Sequence, residues 1–226
     1  MDWNSHILYK DIHLTVINKP FGMLAQKDKN EELGLNELLF EHLGRPNFWM
    51  LLQRIDRVAG GLMSISTSKR VGNAMRELQL ERKIEKTYYI ITERIPELPE
   101  QRIEQFIKKL PRTTRWKVFD EKVTNSKSAI LEYQLIESID NKSLIKVKPI
   151  TGRTHQIRSQ MANIGCPVVG DKKYGKTKWL SDKCICLFSA GIAFEHPITK
   201  KRIEVNAPLP TDREVWSDFK EVISKL

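Results

Sequence analysis

Cysteine is scarce, and its placement builds no framework. The three, Cys166, Cys184 and Cys186, are odd in number. The Cys184-Ile185-Cys186 spacing suits neither a redox CxxC pair nor a four-ligand zinc site. They read as small buried core residues of a reducing cytoplasm. Long apolar runs are missing too, since none approaches the ~20 residues of a membrane span. The N-terminus has no basic stretch leading into an apolar core, which argues against a signal peptide. No phosphate-cradling P-loop, Rossmann fingerprint or metal-ligand cluster occurs, so neither cofactor nor metal is expected. Heptads, repeats and low-complexity linkers are likewise absent, and a monomer built as a single domain over residues 1–226 is the expectation.

Acid is in deficit. Lys and Arg number 38 against 28 Asp and Glu, for a net charge of +10. Such an excess favours a polyanionic partner, with nucleic acid the default. No basic amphipathic helix with a bulky apolar face stands out, so a membrane surface is not expected. The remainder, 40% hydrophobic and 29% charged, is ordinary for a soluble globular chain. At 226 residues there is ample chain for a real core.

The stretch Gln53-Arg54-Ile55-Asp56-Arg57-Val58-Ala59-Gly60-Gly61 links two apolar runs, 48–52 and 62–66. Each run predicts a buried strand. Between them lies one carboxylate, Asp56, with Arg54 and Arg57 beside it. The paired glycines suit a tight backbone or a close approach. An acid on a short link between core strands is a structural ion pair or a reactive group, and this stretch alone leaves both open.

Elsewhere the chain alternates strands with a few helices. Residues 14–17 predict a strand, broken by Asn18-Lys19-Pro20-Phe21-Gly22. Residues 34–43 predict a helix with Leu35, Leu38 and Leu39 on one face. Ser68 predicts the cap of a second helix over 69–81, with Val71, Ala74, Met75 and Leu78 as its core stripe. Residues 86–92 predict a strand that puts Tyr88 and Ile90 on one face. The basic segment 107–117 carries Lys108, Lys109, Arg112 and Arg115 with Trp116 among them. It suits a phosphate backbone and a stacked base, or else a solvated hairpin tip. Residues 128–137 and 143–149 predict paired strands. A helix follows, with Thr154 as cap and Ile157, Met161 and Ile164 as its stripe. Arg153, His155 and Arg158 crowd its N-terminus, where the macrodipole already favours anions. An anion is therefore expected there, either a protein carboxylate or a phosphate. Residues 201–205 predict a return strand, and Thr211 to Glu214 a cap for a last helix bearing Val215, Phe219 and Val222. These patterns predict an α+β fold.

Taken together, these segments resemble the RluA-type pseudouridine synthases over nearly the whole length. The family's His-Arg-Leu-Asp…Thr-Ser-Gly motif lines up with Gln53 to Gly61. Its Lys-x-Tyr lines up with Lys86-Thr87-Tyr88. Its Thr-Gly-Arg-Thr-His-Gln-Ile-Arg motif is matched residue for residue from Thr151 to Arg158. Gly-Asp-x-x-Tyr-Gly matches Gly170 to Gly175, and Phe-x-His-Pro matches Phe194 to Pro197. The resemblance implies one synthase-type domain, a largely antiparallel mixed sheet flanked by helices. It implies isomerisation of uridine to pseudouridine in ribosomal or transfer RNA, in a stem-loop and in the cytoplasm. Asp56 matches the catalytic aspartate, Arg158 its ion-pair partner, and Tyr88 the tyrosine beside the uracil. Arg54 matches the arginine that enters the space of the flipped base. Arg57, Lys86, Arg153 and His155 join it as expected RNA contacts, together with the basic segment.

Departures from the pattern cluster at the front. Gln53 stands for the usual histidine, Ala59-Gly60 for Thr-Ser, and Phe188 where the family often has a histidine. The extra N-terminal RNA-binding domain of many relatives is expected to be missing, leaving RNA contacts to the catalytic domain. A non-catalytic RNA-binding or ribosome-assembly protein on the same fold is the competing reading, and intact Asp56, Tyr88 and Arg158 weigh against it.

Overall fold

The computed structural model describes residues 2–28, 30–175, 178 and 180–226. The chain divides into two compact units. One holds the chain up to Lys86 together with Phe188–Pro208; the other holds Thr87–Leu187 with Leu209–Leu226. The chain opens with β1 (Ile7–Lys10), β2 (Leu14–Lys19), α1 (Leu35–His42), β3 (Met50–Leu51), β4 (Gly60–Ser66) and α2 (Lys69–Leu80). Next come β5 (Glu85–Thr92), β6 (Glu100–Lys109), β7 (Trp116–Phe119), β8 (Lys127–Ile139), β9 (Lys142–Pro149) and α3 (Gln156–Asn163). The chain closes with β10 (Leu187–Glu195), β11 (Arg202–Asn206) and α4 (Lys220–Ile223). No helix among the described residues is long and apolar enough to cross a membrane.

In the first unit β4 is central and wholly buried. Antiparallel β2 covers one edge along its length, from Leu14 opposite Ser66 to Lys19 opposite Gly61. The other edge is divided between β3, at Ser66 and Ile65, and β10, which runs parallel at Gly60 and Gly61. β11 returns antiparallel on β10, as residues 201–205 predict. Helix α2 packs on β4. Its Ser68 hydroxyl accepts from the Val71 amide, and Val71 and Met75 are buried, as the cap and stripe predict.

The second unit is an antiparallel run in the order β5-β9-β8-β6-β7. The β8–β9 hairpin turns at Asp140 and Asn141, whose φ values of 47° and 64° are those of the tight primed turns. The inner face of this run carries Ile90, Leu131, Tyr133, Ile145 and Val147, all buried, and α3 packs on β6 and β7. The fold is thus α+β with a mostly antiparallel arrangement and few helices, as expected.

Three local expectations fail. Residues 48–52 do not form a buried strand; only Met50 and Leu51 are in strand, and both are half-buried. β4 ends at Ser66, opposite Met50, so Phe48 and Trp49 have no strand residue to face. Thr154 does not cap α3. His155 occupies the cap position in a left-handed conformation. The Gln156 side chain turns back instead, accepting from the Thr151 hydroxyl at 2.8 Å and the Arg153 amide at 3.0 Å. The last helix is broken as well. Val215 has φ of 69°, and the buried residues are Trp216 and Phe219 rather than Val215 and Val222.

Candidate active site

The link that carries Asp56 runs from Gln53 to Ala59, between β3 and β4. Asp56 is half-buried, and its carbonyl accepts from the Ala59 amide at 3.1 Å, closing a turn. The turn is fastened by a residue of the Asn18-to-Gly22 break that sequence patterning does not single out as a site residue. Lys19, the last residue of β2, has a fully buried side chain. Its ammonium donates to the carbonyls of Pro20 (2.8 Å), Met23 (2.8 Å) and Ala59 (2.7 Å). A buried cation survives only where such dipoles replace its lost water. Here those dipoles come from the 20–23 turn and from the end of the Asp56 link, so one side chain stitches the two together.

Gly22 and Arg57 add a second fastening. The Gly22 amide donates to the Arg57 carbonyl at 3.0 Å, and Arg57 Nε donates to the Gly22 carbonyl at 2.9 Å. The rest of the Arg57 fork grips the Glu32 carboxylate, at 2.9 and 2.8 Å. Arg57 is therefore engaged by protein groups, although exposed. Arg54 is also exposed, and Gln53 donates to the Leu62 carbonyl at 3.3 Å.

The glycines that follow are needed for close approach. Gly61 has φ of 108°, and a Cβ there would collide with the Ser189 backbone of β10. A Cβ on Gly60 would lie 2.5 Å from the Phe21 ring. Phe21 in turn stacks on Phe188, with centroids 5.9 Å apart and planes at 23°. The departures at positions 60 and 188 thus meet at one aromatic pair.

Tyr88 and Arg158 belong to the second unit. Tyr88 is half-buried and lies opposite Val147 on β9, which puts it on the inner face with Ile90. Lys86, two residues earlier, is half-buried, and burial pulls its ammonium down to about 8. Arg158 projects from the first turns of α3 and is only 6% exposed; Asp171 is 1% exposed. The two form a forked pair, Nε to Oδ2 at 2.6 Å and Nη2 to Oδ1 at 2.8 Å. Asp171 Oδ1 also accepts from the Lys173 and Tyr174 amides, at 3.0 and 3.3 Å. The anion anticipated beside the cationic helix end includes this carboxylate.

The cations gathered at that helix end diverge. Arg153 is exposed and its Nε donates to the Ser128 carbonyl at 3.1 Å. His155 turns to the Tyr174 hydroxyl, with Nδ1 at 2.7 Å. Tyr174 also lies against Arg158, whose Cζ is 5.3 Å from the ring centroid. The basic segment forms the β6–β7 hairpin, with Lys108 opposite Lys117 and Lys109 opposite Trp116. Lys109, Arg112 and Arg115 are exposed around its tip, while Lys108 and Trp116 are half-buried. Its tip meets the 171–175 loop: the Trp116 amide donates to the Tyr174 hydroxyl at 3.0 Å, and Lys173 Nζ donates to Thr114 Oγ1 at 2.9 Å. Asp171, Tyr174 and Lys19 hold candidate site residues in place, and sequence reasoning does not single them out. The available signal is the Gly-Asp-x-x-Tyr-Gly match, which by itself suggests only a loop.

The sequence profile described as RNA pseudouridylate synthase matches residues 13–163. The chain is 31% identical to the ribosomal large subunit pseudouridine synthase C of Rickettsia felis over 207 residues, covering 91% of this chain and 68% of that one. To a Haemophilus influenzae protein described as an uncharacterized RNA pseudouridine synthase it is 34% identical over 210 residues, covering 93% and 89%. Among solved structures, human RNA pseudouridylate synthase domain containing 4 shares the fold, with a TM-score of 0.77 at 22% identity, covering 98% of this chain and 94% of that one.

Proposed function

The chain belongs to the RNA pseudouridylate synthase family, whose members isomerise uridine to pseudouridine, and we propose that Asp56 is the group through which it acts. The two units together make up one catalytic domain, acting as a monomer. In the reaction the bond from ribose C1′ to N1 breaks, the uracil turns, and C5 joins C1′. The C5 proton leaves and N1 gains one, so the product is an isomer of the substrate. Asp56 either attacks C1′ or removes a proton from the sugar, and both routes need it ionised.

The observation that carries this reading is the fastening of the Asp56 link. Lys19 and the reciprocal Gly22–Arg57 pair fasten it twice, and a reacting group gains from being held in place before substrate arrives. Arg158 takes the place of the family's ion-pair partner to the catalytic aspartate, with Asp171 setting the plane of its guanidinium. Tyr88 stacks against the uracil and assists loss of the C5 proton. Arg54, exposed beside the aspartate, enters the space the flipped base leaves; flipping costs a few kcal/mol and is easiest in loops. Arg57 holds the link, and reaches RNA only if Glu32 releases it.

The substrate proposed is large-subunit ribosomal RNA, on the strength of the Rickettsia relative's name. With ribosomal RNA as the proposed substrate, the proposed location is the cytoplasm. Lys86, Arg153 and His155 contribute further RNA contacts, and the hairpin supplies Lys108, Lys109, Arg112, Arg115 and Trp116. Replacing Lys108, Lys109 and Arg112 together by alanine should weaken RNA binding. It should also flatten the plot of log affinity against log salt, by roughly 0.7–0.9 for each phosphate that is no longer neutralised. An unchanged slope in a filter-binding titration would put the RNA elsewhere. The direct test is pseudouridine mapping in total RNA with and without the gene. One site should vanish from large-subunit ribosomal RNA. Loss from a transfer RNA instead would redirect the substrate, and no loss at all would overturn the reading.

A further inference from the structure

Tyr174 joins two parts of the second unit that have different jobs. Its hydroxyl accepts from the Trp116 amide at 3.0 Å, at the root of the basic hairpin tip. The same hydroxyl lies 2.7 Å from His155 Nδ1. Having accepted from Trp116, the hydroxyl has its own proton to give, and His155 Nδ1 is within reach of it. Its ring supports the Arg158 guanidinium, 5.3 Å from the centroid, and meets the His155 ring edge-on at 81°. Its amide donates to Asp171 Oδ1, the oxygen that also receives Arg158 Nη2. Lys173 repeats the connection one residue earlier, with its amide on Asp171 and its ammonium on Thr114 of the hairpin tip. The tip itself is closed on its own backbone, the Leu110 amide donating to the Arg115 carbonyl at 3.0 Å. A displacement of the tip would therefore be felt at Tyr174 before it was absorbed in the loop.

We propose that Tyr174 is a positioning residue that couples RNA contact at the 110–115 hairpin tip to the orientation of Arg158. RNA on the tip holds the Trp116 amide in place. That anchors the Tyr174 hydroxyl, and the ring then confines the guanidinium against Asp171. The coupling is carried by a continuous chain of contacts. The inference rests on the role given above to Arg158, and deepens it by making the arginine's placement depend on RNA bound at the hairpin.

Tyr174→Phe tests the coupling, because it keeps the ring and removes only the hydroxyl. The probe is total RNA from cells lacking the gene, labelled with tritium at uridine C5. Tritium release is followed in single turnover with enzyme in excess. The Tyr174→Phe enzyme should react roughly fivefold to tenfold more slowly at saturation, the scale of one hydrogen bond, with RNA affinity changed less than twofold. Arg112→Ala should also slow the saturated reaction. In the double variant the two effects should not multiply, because both break the same connection. Two independent effects that multiply would overturn the coupling, as would a wild-type rate for Tyr174→Phe. A purely structural tyrosine would lower the melting temperature without giving this non-additivity. Arg158→Met separates the two levels. If that variant turns over normally, the role of Arg158 itself fails. If it is inactive while the Tyr174 and Arg112 effects multiply, only the coupling fails.

Discussion

Asp56→Asn is expected to give a protein that folds, binds RNA and makes no pseudouridine. The substitution is nearly isosteric and leaves the turn intact, since the turn is made by main-chain groups and by Lys19. An amide can neither attack a sugar carbon usefully nor take its proton. The rate should fall by roughly 10⁴-fold or more, the scale of losing a group on which the chemistry depends. RNA affinity should stay within about twofold of the wild type, because the phosphate contacts that dominate affinity are proposed to lie on the arginines and the hairpin. Tritium release from C5-labelled RNA checks the first part and filter binding the second. A purified Asn variant that turned over would remove Asp56 from the chemistry, and the family membership would then need another carboxylate.

Asp171→Ala is expected to destabilise the second unit strongly. It leaves Arg158 charged and buried without its forked partner, and deprives the Lys173 and Tyr174 amides of an acceptor. Breaking a buried pair from one side costs about 3–5 kcal/mol. For a chain of this size that lowers the melting temperature by roughly 10 °C, at ~2–4 °C per kcal/mol. Replacing both partners, Arg158→Met with Asp171→Leu, should recover a large part of the loss, because two apolar groups need no mutual charge. Activity should not return with stability, since the proposed role of Arg158 needs its charge. Thermal unfolding and tritium release on the same three proteins separate these outcomes. An active double variant would reduce the pair to architecture.

The parts of this structure that can be read from sequence are those whose partners are near in the chain. Ser68 and the α2 stripe lie within a few residues of each other, and helical spacing alone places them. Asp140 and Asn141 sit at a turn that only a few residue types accept with φ positive, so the β8–β9 hairpin is legible. Asp56 stands out as the lone carboxylate between two apolar runs. The extent of β3 is not legible, because apolar character at 48–52 does not tell that β4 ends at Ser66, opposite Met50. Lys19 is hidden because a lysine ending a strand usually reaches water; its burial depends on carbonyls from residue 20 to residue 59. The cations near residue 155 announce an anion but not Asp171, thirteen residues beyond Arg158. Thr154 is the better cap by residue type, but α3 starts at Gln156 without a side-chain cap, and the Gln156 side chain ties down the turn before it.

Phe21, Gly60 and Phe188 restrict how such a sequence can change. A serine at position 60 would put its Cβ into the Phe21 ring, and Phe21 rests flat on Phe188. A side chain restored at position 60 therefore requires the Phe21 ring to leave its place against Phe188. Gly60→Ser alone should fare worse than Gly60→Ser made together with Phe21→Ala. The three positions thus act as one packed unit, in which the residue at each limits what the other two can be.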